Sequence, residues 1–244
     1  MAKKKLLTHP WRLCPYGEHW VKTHSMRVPP SKTYPGGYTT IRHEHCARNP
    51  SGKDQLYPDE ILEMSEKHFN DIKQQPCSLE LGFKDTGNQF DHLIAGWTQY
   101  WNDIFKPKAL LTPNIVKALI ASESGFNPNR LANKKNSNSA RGLMQVLNTT
   151  RKALGDEKGD LKDHYLTITK TDLNDPSINI CSGIRWLFEK QRLASAYLER
   201  DSTWEEAIKN YKGKLKKPSN DPETTKQMKI FNEYLRKLNN CEKK

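Results

Sequence analysis

The chain has 244 residues, 35% of them hydrophobic and 28% charged, with a net charge of +12. That length suits one large domain, or a catalytic domain with a small module, and six Trp, nine Tyr and seven Phe give enough bulk for a core and exclude a disordered chain. The positive excess suits a polyanionic partner, with plain solubility as the other reading that composition leaves open. Yet the basic residues are scattered and carry no zinc-finger, homeodomain or RNA-binding signature, so nucleic acid is not expected.

At the start, Lys3, Lys4 and Lys5 are followed by only Leu6 and Leu7 before Thr8, His9 and Pro10. That is too short for a secretory apolar region, so synthesis in the cytoplasm is expected, with no signal peptide. No run reaches the ~20 apolar residues of a membrane span. Residues 1–55 are rich in His, Pro and Gly and read as a small module of short strands around Val21–Val28 and Tyr38–Ile41, with turns at Pro29-Pro30 and Pro35-Gly36-Gly37. The five cysteines are odd in number and scattered, which disfavours a disulfide framework and favours a metal site or buried thiols. Cys14-Pro15-Tyr16-Gly17 looks like a metal knuckle, with His19 and His24 after it and His43, His45 and Cys46 downstream. A structural zinc on Cys14, His19, His45 and Cys46 is therefore one expectation. The plain alternative is a histidine-rich surface with unrelated thiols, and a Cys46–histidine peptidase pair is a weaker third reading. Cys77, Cys181 and Cys241 read as plain thiols.

Residues 56–89 read as a helix from Pro58 to about Gln74 and then a connector. From 90 onward the chain is helical. Phe90, Leu93, Ile94, Trp97, Trp101, Ile104 and Phe105 fall at core-facing helical spacing, and further helices are predicted at 113–124, 148–154, 176–197, 202–211 and 222–239. In the 113–124 helix, Thr112 is a suitable cap, Pro113 a suitable first residue, and Ile115, Val116, Leu119 and Ile120 form an apolar stripe. The next place on that stripe is Glu123, with Gly125 to end the helix. A carboxyl there is placed for partial desolvation, which favours the protonated form that a general acid needs. An exposed glutamate at a frayed helix end is the other reading of the periodicity.

The surrounding residues favour the acid. Glu123-Ser124-Gly125-Phe126-Asn127-Pro128 is followed by Ala140-Arg141-Gly142-Leu143-Met144-Gln145, then by Asp175-Pro176-Ser177-Ile178-Asn179-Ile180, Gly183 and Trp186-Leu187, and then by Ala207-Ile208-Lys209-Asn210-Tyr211-Lys212-Gly213. In that order they resemble the soluble lytic transglycosylase (SLT) domain of the lysozyme-like superfamily, over about 95–240. The resemblance implies a mainly α, lysozyme-like catalytic domain over residues 90–244, behind the small irregular and β module.

It also implies that Glu123 is the catalytic acid/base and that Tyr211 points its hydroxyl toward that acid. Ser124, Gly142, Leu143, Met144, Gln145 and Asn210 would line the sugar groove. Tyr211-Lys212-Gly213 is one residue shorter than the family's usual Tyr-Asn-Ala-Gly, and Trp186 stands where a Tyr is usual.

The implied activity is cleavage of the β-1,4 bond between N-acetylmuramic acid and N-acetylglucosamine in peptidoglycan, without a catalytic cofactor. Only Glu123 stands out as an acid, which fits a lytic transglycosylase giving 1,6-anhydro ends. Asp156, Asp160 and Asp163 are the candidates for a second carboxylate if the enzyme is a hydrolytic muramidase, while Asp175, before Pro176, reads better as a helix cap. A non-catalytic wall- or polyanion-binding protein on the same scaffold is the remaining class. Such an enzyme made in the cytoplasm would reach the wall or periplasm through a secretion machine, as an antibacterial effector with an immunity protein, or through a holin, as an endolysin.

Overall fold

The computed structural model describes residues 11–136, 138–218 and 220–241; His9 and the lysines before it lie outside the described residues. The first strands form one long hairpin. β1 (Glu18–Val21) and β4 (His45–Arg48) pair antiparallel as its inner half, and β2 (His24–Val28) and β3 (Tyr38–Arg42) pair antiparallel as its outer half. The tip needs a glycine at Gly37, where φ is 66° and a side chain would collide with the Val28 carbonyl.

Cys14 and Cys46 are joined in a disulfide, with Cα atoms 5.6 Å apart. This corrects the expected zinc site. Pairing of β1 with β4 returns Cys46 to the Cys14 turn, so both would-be thiolate ligands are consumed in the bond. His19 Nδ1 is engaged with Asn49 Oδ1 at 2.7 Å, and His45 Nδ1 with the His43 carbonyl at 2.9 Å. Among the described residues no group of three or more His, Cys, Asp or Glu side chains could hold a metal ion.

A buried charge cluster ties the hairpin to the helices. Arg12 donates to Asp54 Oδ1 at 2.6 Å, to Glu60 Oε1 at 2.7 Å and to the Glu18 carbonyl at 2.9 Å. Asp54 also meets His164 Nδ1 at 3.1 Å, and the Trp20 amide donates to Glu60 Oε2 at 3.1 Å. Next to this cluster β5 (Gln55–Leu56) pairs in parallel with β6 (Tyr165–Leu166), two residues each, a pairing too short to leave a sequence pattern.

The helices follow the predicted order. α1 (Pro58–His68) stops six residues before the expected Gln74, because Asn70 and Asp71 favour a turn, although Ile72 still reaches the core. α2 (Asp91–Phe105) buries Trp97, Tyr100 and Trp101. α3 (Pro113–Ser124) is capped by Thr112, and α4 is Asn148–Leu154. α5 (Pro176–Leu198) is capped by Asp175, as its sequence suggests. α6 (Trp204–Tyr211) starts with a Thr203–Glu206 capping box. α7 (Pro222–Cys241) lies along α3. The connector before α2 is held by the buried Lys117 ammonium, which donates to Cys77 O, Asn88 Oδ1 and Asp91 Oδ2 at 2.7–2.9 Å. Burial pushes the Asp91 carboxyl up to about 6 even with that cation beside it.

A second disulfide, Cys77–Cys241, corrects the reading of those two residues as plain thiols; Cys181 is free and buried. The two sulfurs are 164 residues apart in sequence, so only the packing of α7 beside the connector brings them together. Cys241→Ser should lower stability by ~2–4 kcal/mol, the usual effect of opening a long cross-linked loop. Denaturant unfolding with and without reductant measures it: the parent's midpoint should exceed the variant's without reductant, and the two should coincide once reductant opens the Cys14–Cys46 bond in both and Cys77–Cys241 in the parent.

Candidate active site

The core stripe of α3 carries Glu123 into its last turn, and Gly125, at φ 61°, closes the helix by returning its amide to Ala121. Leu119 and Ile120 below it are fully buried, whereas the Glu123 side chain keeps 20% exposure. The carboxylate is therefore rooted in the core and open to solvent at its tip.

Lys212 stands directly on it. Its ammonium contacts Glu123 Oε1 and donates to Ser122 Oγ at 3.1 Å, with the lysine side chain only 5% exposed. Sequence alone does not single out Lys212 as functional. Its only signal is the shortened Tyr211-Lys212-Gly213, and what makes the lysine part of the site is the fold, which brings the end of α6 against the end of α3.

Tyr211 packs next to this pair and donates its hydroxyl to the Met144 carbonyl at 2.8 Å, not to Glu123. Burial, and after it the negative charge of Glu123, push the Tyr211 phenol well above its ordinary value. It is therefore a neutral hydrogen-bond donor across the working pH range.

The Gly142 to Gln145 segment is held from behind by Asn179 of α5. Asn179 accepts from the Met144 amide at 2.8 Å and donates to the Arg141 and Leu173 carbonyls at 3.0 and 2.8 Å. Gly142 has φ 75°, and a side chain there would overlap the Asn179 amide. Leu143 and Met144 are fully buried, and Met144 lies on Gly183, where a side chain would displace it. These two residues serve the site through their backbone and packing.

Gln145 is half-buried and sits at φ 50°, a strained left-handed backbone for a residue with a side chain. Its Nε2 donates to the Gly142 carbonyl at 2.8 Å and the Arg130 carbonyl at 3.1 Å. The Ser124 hydroxyl turns back to the Ile120 carbonyl at 3.2 Å, and Asn210 Nδ2 donates to the Lys190 carbonyl of α5 at 2.9 Å. Both side chains are therefore committed to backbone carbonyls. Asn179, which does the most bracing, lies in a motif visible in the sequence but without a sign of its role.

The aspartates proposed as a second acid are committed elsewhere. Asp163 accepts from the Asp54 and His164 amides at 2.8 and 2.7 Å and from the Tyr16 hydroxyl at 2.6 Å. Asp160 and Asp163 line a cavity of about 430 Å³ with Arg185, Phe188 and Glu189. Residues 185, 188 and 189 share the face of α5 turned away from the Asn179–Gly183 face that supports the Gly142 to Gln145 segment. Asp156 caps its own turn by accepting the Lys158 amide at 3.0 Å.

One carboxylate ending an apolar helix, a charged partner on a neighbouring helix end and a strained loop braced from behind meet in this mainly helical domain, and the family it matches makes it a cell-wall-acting enzyme domain of glycan-degrading type. The chain belongs to the transglycosylase SLT domain family, whose pattern matches residues 103–232, more than half of its length. Comparison with curated protein sequences found no match. Among solved structures it is similar to "CtCel124: a cellulase from Clostridium thermocellum", at 16% identity and a TM-score of 0.42, covering 74% of this chain and 83% of that one. That likeness is too distant to bear on function.

Proposed function

We propose that the protein is a peptidoglycan lytic transglycosylase of lysozyme-like architecture that cuts the β-1,4 bond between N-acetylmuramic acid and N-acetylglucosamine. The observation that carries the reading is Glu123 at the end of the α3 core stripe, beside Lys212 and Tyr211, in a chain of the SLT family. Protonated Glu123 gives its proton to the glycosidic oxygen as the bond to C1 breaks. The carboxylate left behind takes the proton of the muramoyl C6 hydroxyl while O6 bonds to C1. This closes a 1,6-anhydro ring and restores the acid, with no water consumed and no cofactor needed. Gln145 and the edges of the Gly142 segment contact the N-acetyl sugars, and Asn210 and Ser124 hold the walls. The division into a 1–55 module, a 56–89 connector and a 90–244 catalytic domain belongs to the same reading.

Mass spectrometry of digested peptidoglycan tests it. Anhydro ends, about one water lighter than reducing ends, are the expected product. Predominant reducing ends would make the enzyme a muramidase, and no cleavage at all would leave the wall-binding class. The involvement of Asp160 and Asp163 in contacts on the far side of α5 favours the single-acid route.

Lys212 positions the carboxylate in this scheme. Lys212→Met should lower kcat by ~10–10², the scale of a misplaced catalytic group, with KM little changed, and Lys212→Arg should recover part of it. A faster Lys212→Met enzyme would show instead that the ion pair restrains the acid.

Two disulfides suit an oxidising compartment, which supports action in the wall or periplasm. Delivery by a secretion machine with a cognate immunity protein, or through a holin, belongs to the same proposal. Co-purification with the product of a neighbouring gene that inhibits the enzyme tests the first route.

A further inference from the structure

The outer half of the hairpin is left without an assignment once the zinc reading is withdrawn. Eight of the ten residues of β2 and β3 are exposed. Two strands wet on both faces are marginal in water, and here the inner half and the Cys14–Cys46 bond anchor the base. Residues directly opposite each other share a face, so His24 with Arg42, Met26 with Thr40 and Val28 with Tyr38 make one face, and Ser25 with Ile41 and Arg27 with Thr39 make the other.

On the first face the Tyr38 ring lies against Tyr34 from the tip, centroids 5.0 Å apart, and the two rings are 46% and 56% exposed. From Tyr38 to Arg42 the strand runs ~13 Å, at ~3.3 Å per residue. Residues 19–43 contain no Asp or Glu. Lys22 pairs with Asp59 at 3.0 Å, but Arg27, Lys32 and Arg42 have no carboxylate partner among the described residues.

We propose that the Tyr34–Tyr38–Arg42 face is a second glycan site that holds the enzyme on peptidoglycan away from the cleft, an inference that rests on the cell-wall reading above. Aromatic rings take the apolar faces of sugar rings, and a guanidinium takes carboxylate in a two-pronged hydrogen bond. Peptidoglycan presents both along one strand: sugar rings, and the ionised carboxylates of its peptide stems. The hairpin presents their complements along one face. Anionic lipid lacks the rings and nucleic acid would supply phosphate in place of carboxylate, so each becomes an outcome of the test.

The full chain carrying Glu123→Gln, so that it does not digest its target, is sedimented with purified sacculi. Adding Tyr34→Ala with Tyr38→Ala should weaken binding about 10-fold, the scale of losing exposed aromatic anchors. Arg42→Glu should do the same, while Arg27→Glu, an identical change of charge on the opposite face, should change it by less than about 3-fold.

With Glu123 intact, the same variants should cleave short soluble glycan oligomers at the parental rate and sacculi more slowly. If the oligomers resist the unmodified chain, the cleft reading fails, while sedimentation still judges the hairpin. Equal binding by all variants overturns the site. So do equal losses for Arg27→Glu and Arg42→Glu, and so does a loss confined to phosphatidylglycerol vesicles or an oligonucleotide. If the tyrosine pair lowers the melting temperature, the two arginine variants decide.

Discussion

Glu123→Gln should abolish nearly all cleavage of peptidoglycan and leave the fold unchanged. The amide keeps the shape and reach of the carboxylate but neither gives nor takes a proton at neutral pH. Loss of a single acid–base function is worth ~10²–10⁴. Here one residue serves both halves of the proposed cycle, so the loss should reach or pass the upper end of that range. The fold should survive because Glu123 is a surface-reaching residue at the end of α3, 20% exposed, whose removal leaves only the Lys212 ammonium to find solvent or Ser122. Turbidity of a sacculus suspension measures the activity, and thermal unfolding checks the fold. Tyr211→Phe should cost less, since it removes only the hydroxyl that braces the Met144 carbonyl. Full activity of Glu123→Gln would overturn its assignment as the catalytic acid.

Arg12→Met should destabilise the protein by ~3–5 kcal/mol, because it strips the cation from two buried carboxylates. Asp54 and Glu60 are 1% and 0% exposed and share the one guanidinium, so neither can turn to water when it is removed. Burial by itself drives the Asp54 carboxyl up, but the His164 hydrogen bond and the Arg12 charge more than reverse this and hold it below the ordinary aspartate value of 3.8. A depressed carboxyl contributes stability that is fully present above its unfolded pKa and lost as pH falls through the folded one. The gap between parent and Arg12→Met should therefore be full at pH 6–7 and narrow as acid titrates Asp54 below pH 3.8. Chemical denaturation at a series of pH values reads both the size and the trend. A gap under 1 kcal/mol at neutral pH would mean that water reaches the pair once the arginine is removed.

Local structure is legible wherever one element carries its own signal. α3 begins and ends where Thr112, Pro113 and Gly125 place it, and the Glu123 stripe within it is a matter of 3.6-residue periodicity. The cap at Asp175 and the order of the helices are equally legible, whereas the Thr203–Glu206 capping box starts α6 two residues after the expected 202. These features depend on contacts within a few residues, which sequence spacing encodes directly.

Everything that rests on two distant segments meeting was decided by the tertiary structure. Cys14 finds Cys46 only because β1 pairs with β4, and Cys77 finds Cys241 only because α7 lies along α3. Thiols 32 and 164 residues apart look unrelated in a linear chain, and the histidines between the first two imitate a metal site. Lys212 reaches Glu123 across 89 residues, Asn179 reaches Met144 across 35, and Arg12 reaches Glu60 across 48. Residue types determined which helices form and which acid they carry. Only packing determined which cation meets that acid, which sulfurs bond, and that the outer half of the hairpin is left to the solvent.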